Sequence, residues 1–328
     1  MKPSKVLCLL VTTLLSLAPA VPAYPWAYAT HAYFAERLGE RMGNLNFQEM
    51  YGSLLPDQYN FILTPVGEYL AVQTHANPEA VTGAAGDCAT QAVAFGFATH
   101  NEIWGADFTA HVASLTLPES PIKGYVIIKG DELAPDLVAP LTEILVEAGA
   151  DPVQAPFIAA GIAPFLGHLL VEEGVDWLVK KELEPSVGTR IMNAARLRTT
   201  KTPLLLANAY APEVSSTFGV SLLEATAMIF EVERQYRQMS LDYGRAFLGN
   251  PERVMDYLAL QGVTVGQLYI KAATGYDVVI SPELAEAFTR QAVALVESTY
   301  EAELIATLAY LEDELENRGV ETCEVRGR

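Results

Sequence analysis

The stretch FGFATHNEIWGADFTAH, residues 95–111, carries two histidines and an aspartate close together. It closes a longer segment, Ala89 to His111, that is predicted to be helical and turns from apolar to polar along its length. Asp107 and His111 are four residues apart, so on a helix they project from one face. His100 lies two turns before Asp107 and points within about 20–40° of the same direction. The stretch therefore predicts imidazole and carboxylate groups on one helical face.

The same pairing occurs at His168 and Glu172, which are four residues apart and could share one metal ion. Either pair alone could also be an ordinary pair on a helix surface. His31 lies on the apolar face of a helix predicted from Trp26 to Met42, where a lone histidine is more often a hydrogen-bonded core residue. His75 is predicted to lie in a loop. Imidazole and carboxylate without thiolate is the ligand set of catalytic zinc, so the five histidines together predict a multinuclear zinc site.

The rest of the chain is predicted to be mostly helical, with no repeat or linker. Helices are expected at Ala155 to Val179, Ser221 to Ala246, Pro251 to Gly262 and Val263 to Thr274, with a long final helix from Pro282 to Arg318 that ends at Gly319. Two segments are predicted to be irregular, Tyr51 to Asp57 as a loop and Glu119 to Asp136 as a partly β-like surface excursion. The fold class is therefore all-α, with a helical extension after about residue 185.

The first 23 residues have the order of a secretory signal peptide. Lys2 and Lys5 precede an apolar run from Val6 to Leu17, and small residues lead to a cleavage site after Ala23. The protein is therefore expected to be exported, to the periplasm or fully secreted. A second apolar run, Ala155 to Val171, has only one polar residue and could span a membrane, but its prolines and glycines favour a buried core helix.

The chain is strongly acidic, with 40 acidic against 21 basic residues and a formal net charge of −19. Nucleic-acid binding usually depends on Lys and Arg neutralising phosphates, so no nucleic-acid partner is expected unless bound cations offset this charge. Two cysteines follow the signal peptide, Cys88 and Cys323. They could pair in an oxidising compartment, or they could be two buried thiols.

Several short motifs resemble the zinc-dependent phospholipase C family, which includes the N-terminal domain of glycosylphosphatidylinositol-specific phospholipase D. The motifs occur in the family's order over roughly residues 26 to 180. They are Thr30-His31, Tyr51-Gly-Ser-Leu-Leu-Pro-Asp57, Thr74-His75, Phe95-Gly-Phe-Ala-Thr-His100, Gly105-Ala-Asp107-Phe-Thr-Ala-His111 and His168-Leu-Leu-Val-Glu172. The resemblance implies a multi-helix bundle with a metal-binding region at residues 24–185. It does not cover the residues after about 185, and the helical pattern of residues 186–328 predicts a helical extension packed on the same unit.

The resemblance also implies the ligands of two or three zinc ions. They would be Trp26 through its main chain, His31, Asp57, His75, His100, Asp107, His111, His168 and Glu172, with Asp57 as the general base or water-orienting group. Two features depart from the family. Cleavage after Ala23 leaves two residues ahead of Trp26, and His100 to Asp107 spans seven residues where the family has four. An unbroken helix would place the α-carbons of His100 and Asp107 about 10 Å apart along its axis, so they could not easily share one ion, although they could hold different ions of a cluster. A helix break near Asn101 or Gly105 would also resolve the spacing.

The expected activity is zinc-assisted hydrolysis of a phospholipid or another phosphodiester, with transient contact to a membrane surface. A zinc-dependent single-strand nuclease is the alternative enzyme, because that group starts with a similar spacing of Trp26 and His31. A non-catalytic, exported helical protein with structural zinc is the third reading, and closed coordination by four protein ligands would favour it.

Overall fold

The computed structural model describes residues 26–39, 44–60, 62, 64–117 and 123–321. Over these residues the fold is all-α, as the sequence predicts, and no strand occurs. The predicted signal peptide and Cys323 lie outside the described residues. Cys88 forms a disulfide.

The described residues contain a series of α-helices with short connections. They are α1 (Tyr28–Leu38), α2 (Asn44–Leu54), α3 (Pro65–Ala76), α4 (Glu79–Ala84), α5 (Cys88–His100), α6 (Tyr125–Glu147), α7 (Ala155–Leu178), α8 (Val187–Leu197), α9 (Thr202–Phe218), α10 (Leu222–Ala246), α11 (Pro251–Thr274), α12 (Pro282–Val296) and α13 (Tyr300–Arg318). A 3₁₀-helix follows α2 at Leu55–Tyr59, and π-helical turns lie at Phe108–Val112 and Val179–Leu183.

Two helix pairs form the centre of the fold. The long helices α6 and α7 pack against each other as an antiparallel hairpin, and α2 packs along α5. The α2–α5 crossing depends on Gly96, where an added Cβ would lie 1.7 Å from the carbonyl oxygen of Glu49. The backbones of α2 and α5 are therefore close enough for groups at the end of α2 to reach the last turn of α5.

Helices after residue 185 pack directly on this centre. α8 contacts α1 and α2, α10 contacts α8 and α9, and α11 and α12 lie against α7. A buried ion pair joins Arg198 to Glu233 of α10, and Tyr51 of α2 donates a hydrogen bond of 2.8 Å to the same carboxylate. A lone buried charge is costly unless it is paired, so this contact restricts how α10 can sit on α2.

Three predicted irregular segments are helical instead. Tyr51 belongs to α2 and Asp57 to the 3₁₀-helix, so the predicted loop at Tyr51 to Asp57 is wrong. His75 lies in the last turn of α3 and not in a loop. The β-like sequence from Tyr125 to Ile128 starts α6, because packing along α7 outweighs the local strand propensity of aromatic and β-branched residues.

The positions at which the C-terminal helices are interrupted differ from the prediction. α11 runs through from Pro251 to Thr274 without the predicted division at Gly262. The predicted final helix is divided near Thr299, whose side-chain hydroxyl donates to the carbonyl of Val296 at 3.3 Å. Ser and Thr side chains compete with helical backbone hydrogen bonds in this way. Its start at the Ser281 cap and its end at Gly319, which has a positive φ of 61°, are confirmed.

The sequence of α7 is compatible with a membrane span and with a buried core helix. With its π-helical end it runs from Ala155 to Leu183 and is long and apolar enough, by length and composition, to cross a membrane. Half of its most apolar stretch of 18 residues is buried inside the protein. The buried residues concentrate in the second half of the helix, and much of the first half is exposed.

Candidate metal centre

Five buried ionisable side chains converge between α1, α3 and α5. We call them the inner cluster: His31 of α1, Asp57 of the 3₁₀-helix, His75 of α3, His100 of α5, and Asp107 from the turn after α5. Each of them is at most 7% exposed. Burying so many ionisable groups together costs free energy unless charges of opposite sign are held between them.

The inner cluster is tight enough for its members to share ions. The Nε2 atom of His100 lies 2.9 Å from Asp107 Oδ2 and 3.6 Å from Asp57 Oδ1. His31 Nε2 is 3.2 Å from Asp107 Oδ1, and His75 Nε2 is 3.4 Å from Asp57 Oδ1. Within each of two groups, His31 with His100 and Asp107, and Asp57 with His75 and His100, the ligand atoms lie within 4.8 Å of one another.

Backbone carbonyls fix the orientation of two of these imidazoles. His100 Nδ1 is 2.7 Å from the carbonyl oxygen of Ser53, and His75 Nδ1 is 2.7 Å from that of Ala71. A carbonyl only accepts, so each Nδ1 carries a proton, and each ring in its neutral form turns a lone pair at Nε2 toward the cluster. These two Nε2 atoms are 3.3 Å apart. Two facing lone pairs repel, so the arrangement calls for a proton or a metal cation between them.

Asp107 is the member that most needs a further partner. It is fully buried, and neither of its carboxylate oxygens accepts a hydrogen bond, although His100 and His31 approach within 3.2 Å. His31 Nε2 is likewise buried without a hydrogen-bond partner. Buried polar atoms are rarely left unsatisfied, and these three face the same small volume. The residues therefore fit a bound cation.

A turn built by Asn101 brings Asp107 back to His100. The Asn101 side-chain oxygen accepts from the backbone N–H groups of Ile103 and Trp104 at 2.8 and 2.9 Å, and its amide donates to the carbonyl of Ala98 at 2.7 Å. Gly105 completes the turn, where an added Cβ would lie 2.5 Å from the Asn101 carbonyl oxygen. A helix break near Asn101, one of the two arrangements that the seven-residue spacing allows, is therefore present.

A second group of ligands lies nearer to the surface. We call it the outer cluster: His111 of the π-helical turn with His168 and Glu172 of α7. Glu172 Oε1 contacts His168 Nε2 and lies 3.4 Å from His111 Nε2, while Glu172 Oε2 is buried without a partner. The side chains of His111 and His168 are 13% and 17% exposed, against 1% for Glu172. The outer cluster is therefore the side through which solvent reaches the ligands.

The electrostatics of both clusters favour added positive charge. Burial raises the pKa of Asp107, but His100 and His31 outweigh it and hold this pKa well below its usual value. Burial lowers the pKa of His168 to about 4, so this imidazole is neutral and available as a ligand near neutral pH. Burial raises the pKa of Glu172 well above the usual value for glutamate, because its charge has no adequate counter-charge.

Sequence reasoning missed the residues that hold the ligands in place. Asp176, one turn after Glu172, accepts hydrogen bonds from the backbone N–H groups of Ala29 and Thr30 at 2.7 and 2.8 Å. It supplies the N-terminal cap that Ala27 cannot give to α1, and so fixes the turn that carries His31. The four-residue spacing of His168, Glu172 and Asp176 could have identified it.

Two further residues lie beside the clusters. Glu102 Oε1 lies 3.2 Å from His111 Nδ1 and orients that ring. The indole N–H of Trp26 donates to the carbonyl of Ala106 at 3.0 Å, which places this fully buried residue beside Asp107. Main-chain ligation by Trp26 stays a prediction.

Comparisons of this chain with protein-family models, with curated proteins and with solved structures find no match. The fold and the two clusters therefore define its class by themselves. It is an all-helical protein whose buried histidine and carboxylate groups could hold metal ions.

Proposed function

We propose that this protein is a zinc-dependent phosphodiesterase that cleaves phospholipids or related phosphodiesters in the manner of a phospholipase C. The observation that carries the proposal is the facing pair of imidazoles, His75 and His100, whose Nε2 atoms lie 3.3 Å apart beside the unsatisfied oxygens of Asp107. Imidazole and carboxylate ligands without thiolate are typical of catalytic zinc.

The ligand sets support an open, catalytic site over a closed, structural one. The outer cluster contains three candidate ligands, His111, His168 and Glu172, and two of them are partly exposed. Three protein ligands leave a coordination position for substrate or water, whereas structural zinc is enclosed by four. Zinc held here would supply the charge that polarises a phosphoryl group and acidifies water.

This positive charge also explains how so acidic a chain could bind a phosphate. The protein carries a formal net charge of −19, and an anion would otherwise be repelled. Two divalent ions, one in each cluster, would add four positive charges, and the ion of the outer cluster would lie beside the exposed edges of His111 and His168. A phosphodiester would therefore be attracted to the outer cluster and not to the rest of the surface.

Asp57 is the carboxylate best placed to handle a proton. It is 1% exposed, and its Oδ1 accepts a hydrogen bond of 2.9 Å from the amide of Asn60. The same oxygen faces both His75 and His100. In our proposal Asp57 helps to hold the cation and orients or deprotonates the attacking water, the role that general-base catalysis requires.

The number of ions in the inner cluster is limited by the lone pairs with which His100 can bind metal. Its Nδ1 is committed to the Ser53 carbonyl, so only Nε2 can bind metal, although His100 belongs to both inner groups. If His100 joins Asp57 and His75, the other group keeps only His31 and Asp107. We therefore propose one ion in the inner cluster and one in the outer cluster, with a third requiring another ligand such as the main chain of Trp26.

The test is elemental analysis of gently purified protein, followed by assays on phosphatidylcholine, a soluble chromogenic phosphodiester and single-stranded DNA. We expect two zinc ions per chain and hydrolysis of both phosphodiesters. Preferred cleavage of the DNA would assign the chain to the nuclease alternative. Bound zinc with no hydrolysis of any of the three would favour a non-catalytic zinc protein, and less than one zinc per chain, with no thermal shift on adding zinc, would refute the site itself.

A further inference from the structure

We propose that the exposed face of α7 is a docking surface for a zwitterionic lipid membrane, and that it turns the outer cluster toward the lipid headgroups. The surface, which we call the apolar ridge, consists of Val153, Pro156, Phe157, Ala160, Gly161 and Pro164. The docking surface itself does not depend on catalysis. Its alignment with a reaction site rests on the function proposed above.

The apolar ridge is exposed although it belongs to one of the most apolar segments of the chain. Phe157 is 77% exposed and Val153, just before the helix, is 76% exposed. Phe157, Ala160, Gly161 and Pro164 recur at helical spacing and share one face of α7. On the opposite side, Ala155, Ala159 and Ala163 are buried against the protein. The ridge is therefore a surface feature of α7 and not a part of its core-facing side.

The charge pattern around the ridge selects the kind of membrane. No charged residue occurs from Pro152 to Val171, a run of uncharged sequence as long as a membrane-spanning helix. Glu147 and Asp151 are exposed at the hairpin turn beside it. These two acids would be buried if the hairpin entered a membrane end-on, so α7 must lie flat, with its apolar face at the level of the headgroups and acyl boundary. Their charge also disfavours anionic lipid.

The ridge points in the same direction as the outer cluster. His168 follows Pro164 by one helical turn on the same face of α7, and Glu172 follows His168 by another. Phe157 and His168 stand about 16 Å apart along the helix axis, at a rise of 1.5 Å per residue. A membrane lying along the ridge would therefore reach the partly exposed edge of His168. The phosphodiester of a phospholipid is at this headgroup level.

A lipid surface fits the ridge better than a second copy of the chain. A stable protein interface uses roughly 20–30 residues on each side, and the ridge has six. Its two large side chains, Val153 and Phe157, are separated from Pro164 by the small residues Ala160 and Gly161. Lipid requires no matching shape or specific contacts, and its binding grows with the buried apolar area.

The experiment measures flotation of the zinc-loaded protein with phosphatidylcholine vesicles, with lipid in large excess. The variants are Phe157→Asp, Phe157→Leu and, as a matched control, Leu223→Asp. Leu223 is 78% exposed and lies at the start of α10, which packs on α8 and α9. We expect Phe157→Asp to weaken vesicle binding about tenfold or more, because it removes a large exposed apolar side chain and adds a charge. Phe157→Leu and Leu223→Asp should bind as the parent does.

The outcomes separate docking from catalysis. Hydrolysis of a soluble chromogenic phosphodiester by Phe157→Asp should equal that of the parent, since Phe157 is not part of either cluster. The docking proposal is overturned if the parent does not float, if Phe157→Asp floats equally well, or if vesicles with added phosphatidylglycerol bind more tightly. Light scattering that shows a dimer dissociated by Phe157→Asp would also overturn it, in favour of an interface between copies. If the parent does not hydrolyse the soluble chromogenic phosphodiester, the proposed function is refuted and the docking result is unaffected.

Discussion

Replacement of Asn101 by alanine tests whether the turn after α5 assembles the inner cluster. Alanine removes two well-formed acceptor bonds, from Ile103 and Trp104, and the donor bond to Ala98. At about 1 kcal/mol net for each hydrogen bond, the free energy of unfolding should fall by about 2–3 kcal/mol. In a chain of this size the melting temperature should decrease by about 5 °C. Alanine also favours continuation of the helix, which would carry Asp107 away from His100.

Zinc affinity is the more decisive measurement for Asn101→Ala. A residue that positions a ligand typically contributes 10–100-fold to metal affinity, so competition with a chromophoric chelator should show a loss of about this size. Asn208→Ala, on the exposed side of α9, is the matched control and should change stability by less than about 0.5 kcal/mol. If Asn101→Ala melts earlier but binds zinc as tightly as the parent, the turn is structural only. If neither property changes, our reasoning about the break is refuted.

Further predictions concern the ligands themselves. His111→Ala and His168→Ala should each abolish hydrolysis with helical circular dichroism unchanged; near-normal turnover would make either residue a bystander. Asp57→Asn keeps the size of the side chain but cannot take a proton, so kcat should fall by roughly two orders of magnitude with little change in melting temperature; an active variant would remove Asp57 from catalysis. Burial lowers the pKa of His100, but Asp107 and Asp57 outweigh it and hold this pKa well above its usual value. Protons therefore compete with zinc at His100, and zinc affinity should fall steeply as the pH drops from neutral toward about 6. Zinc titrations that give the same affinity at neutral pH and at about pH 6 would contradict this.

The parts of the site that depend on local spacing could be predicted from the sequence. His168 and Glu172 are four residues apart and are in contact on α7. This contact could be predicted because the periodicity of an α-helix does not depend on its surroundings. The all-α class follows from the same periodicity. His31 looked like a core residue on an apolar face, and it is buried as that pattern predicts, but its ring also faces Asp107.

The parts that depend on long-range packing could not be predicted in this way. The sequence around His75 does not predict that the Ala71 carbonyl orients its ring toward His100, because this contact exists only if the last turn of α3 is helical and packs beside α5. The sequence from Tyr125 has strand propensity, and only its packing against α7 makes it helical. The seven-residue spacing of His100 and Asp107 is compatible with a break or with ligation of different ions, and the hydrogen bonds of Asn101 that build the break depend on three-dimensional contacts.

The helices after residue 185 bear on the site although they supply none of the predicted ligands. Tyr236 of α10 donates a hydrogen bond to the carbonyl of Leu54, just before the 3₁₀-helix that carries Asp57. Glu303 of α13 accepts from the backbone N–H groups of Leu115 and Thr116 at 2.9 and 3.0 Å, just after the π-helical turn of His111. Ligands at helix ends and turns lack the restraint of a helix interior, and a loose ligand weakens metal binding. In the proposed metal site these helices therefore act by fixing the backbone next to Asp57 and His111.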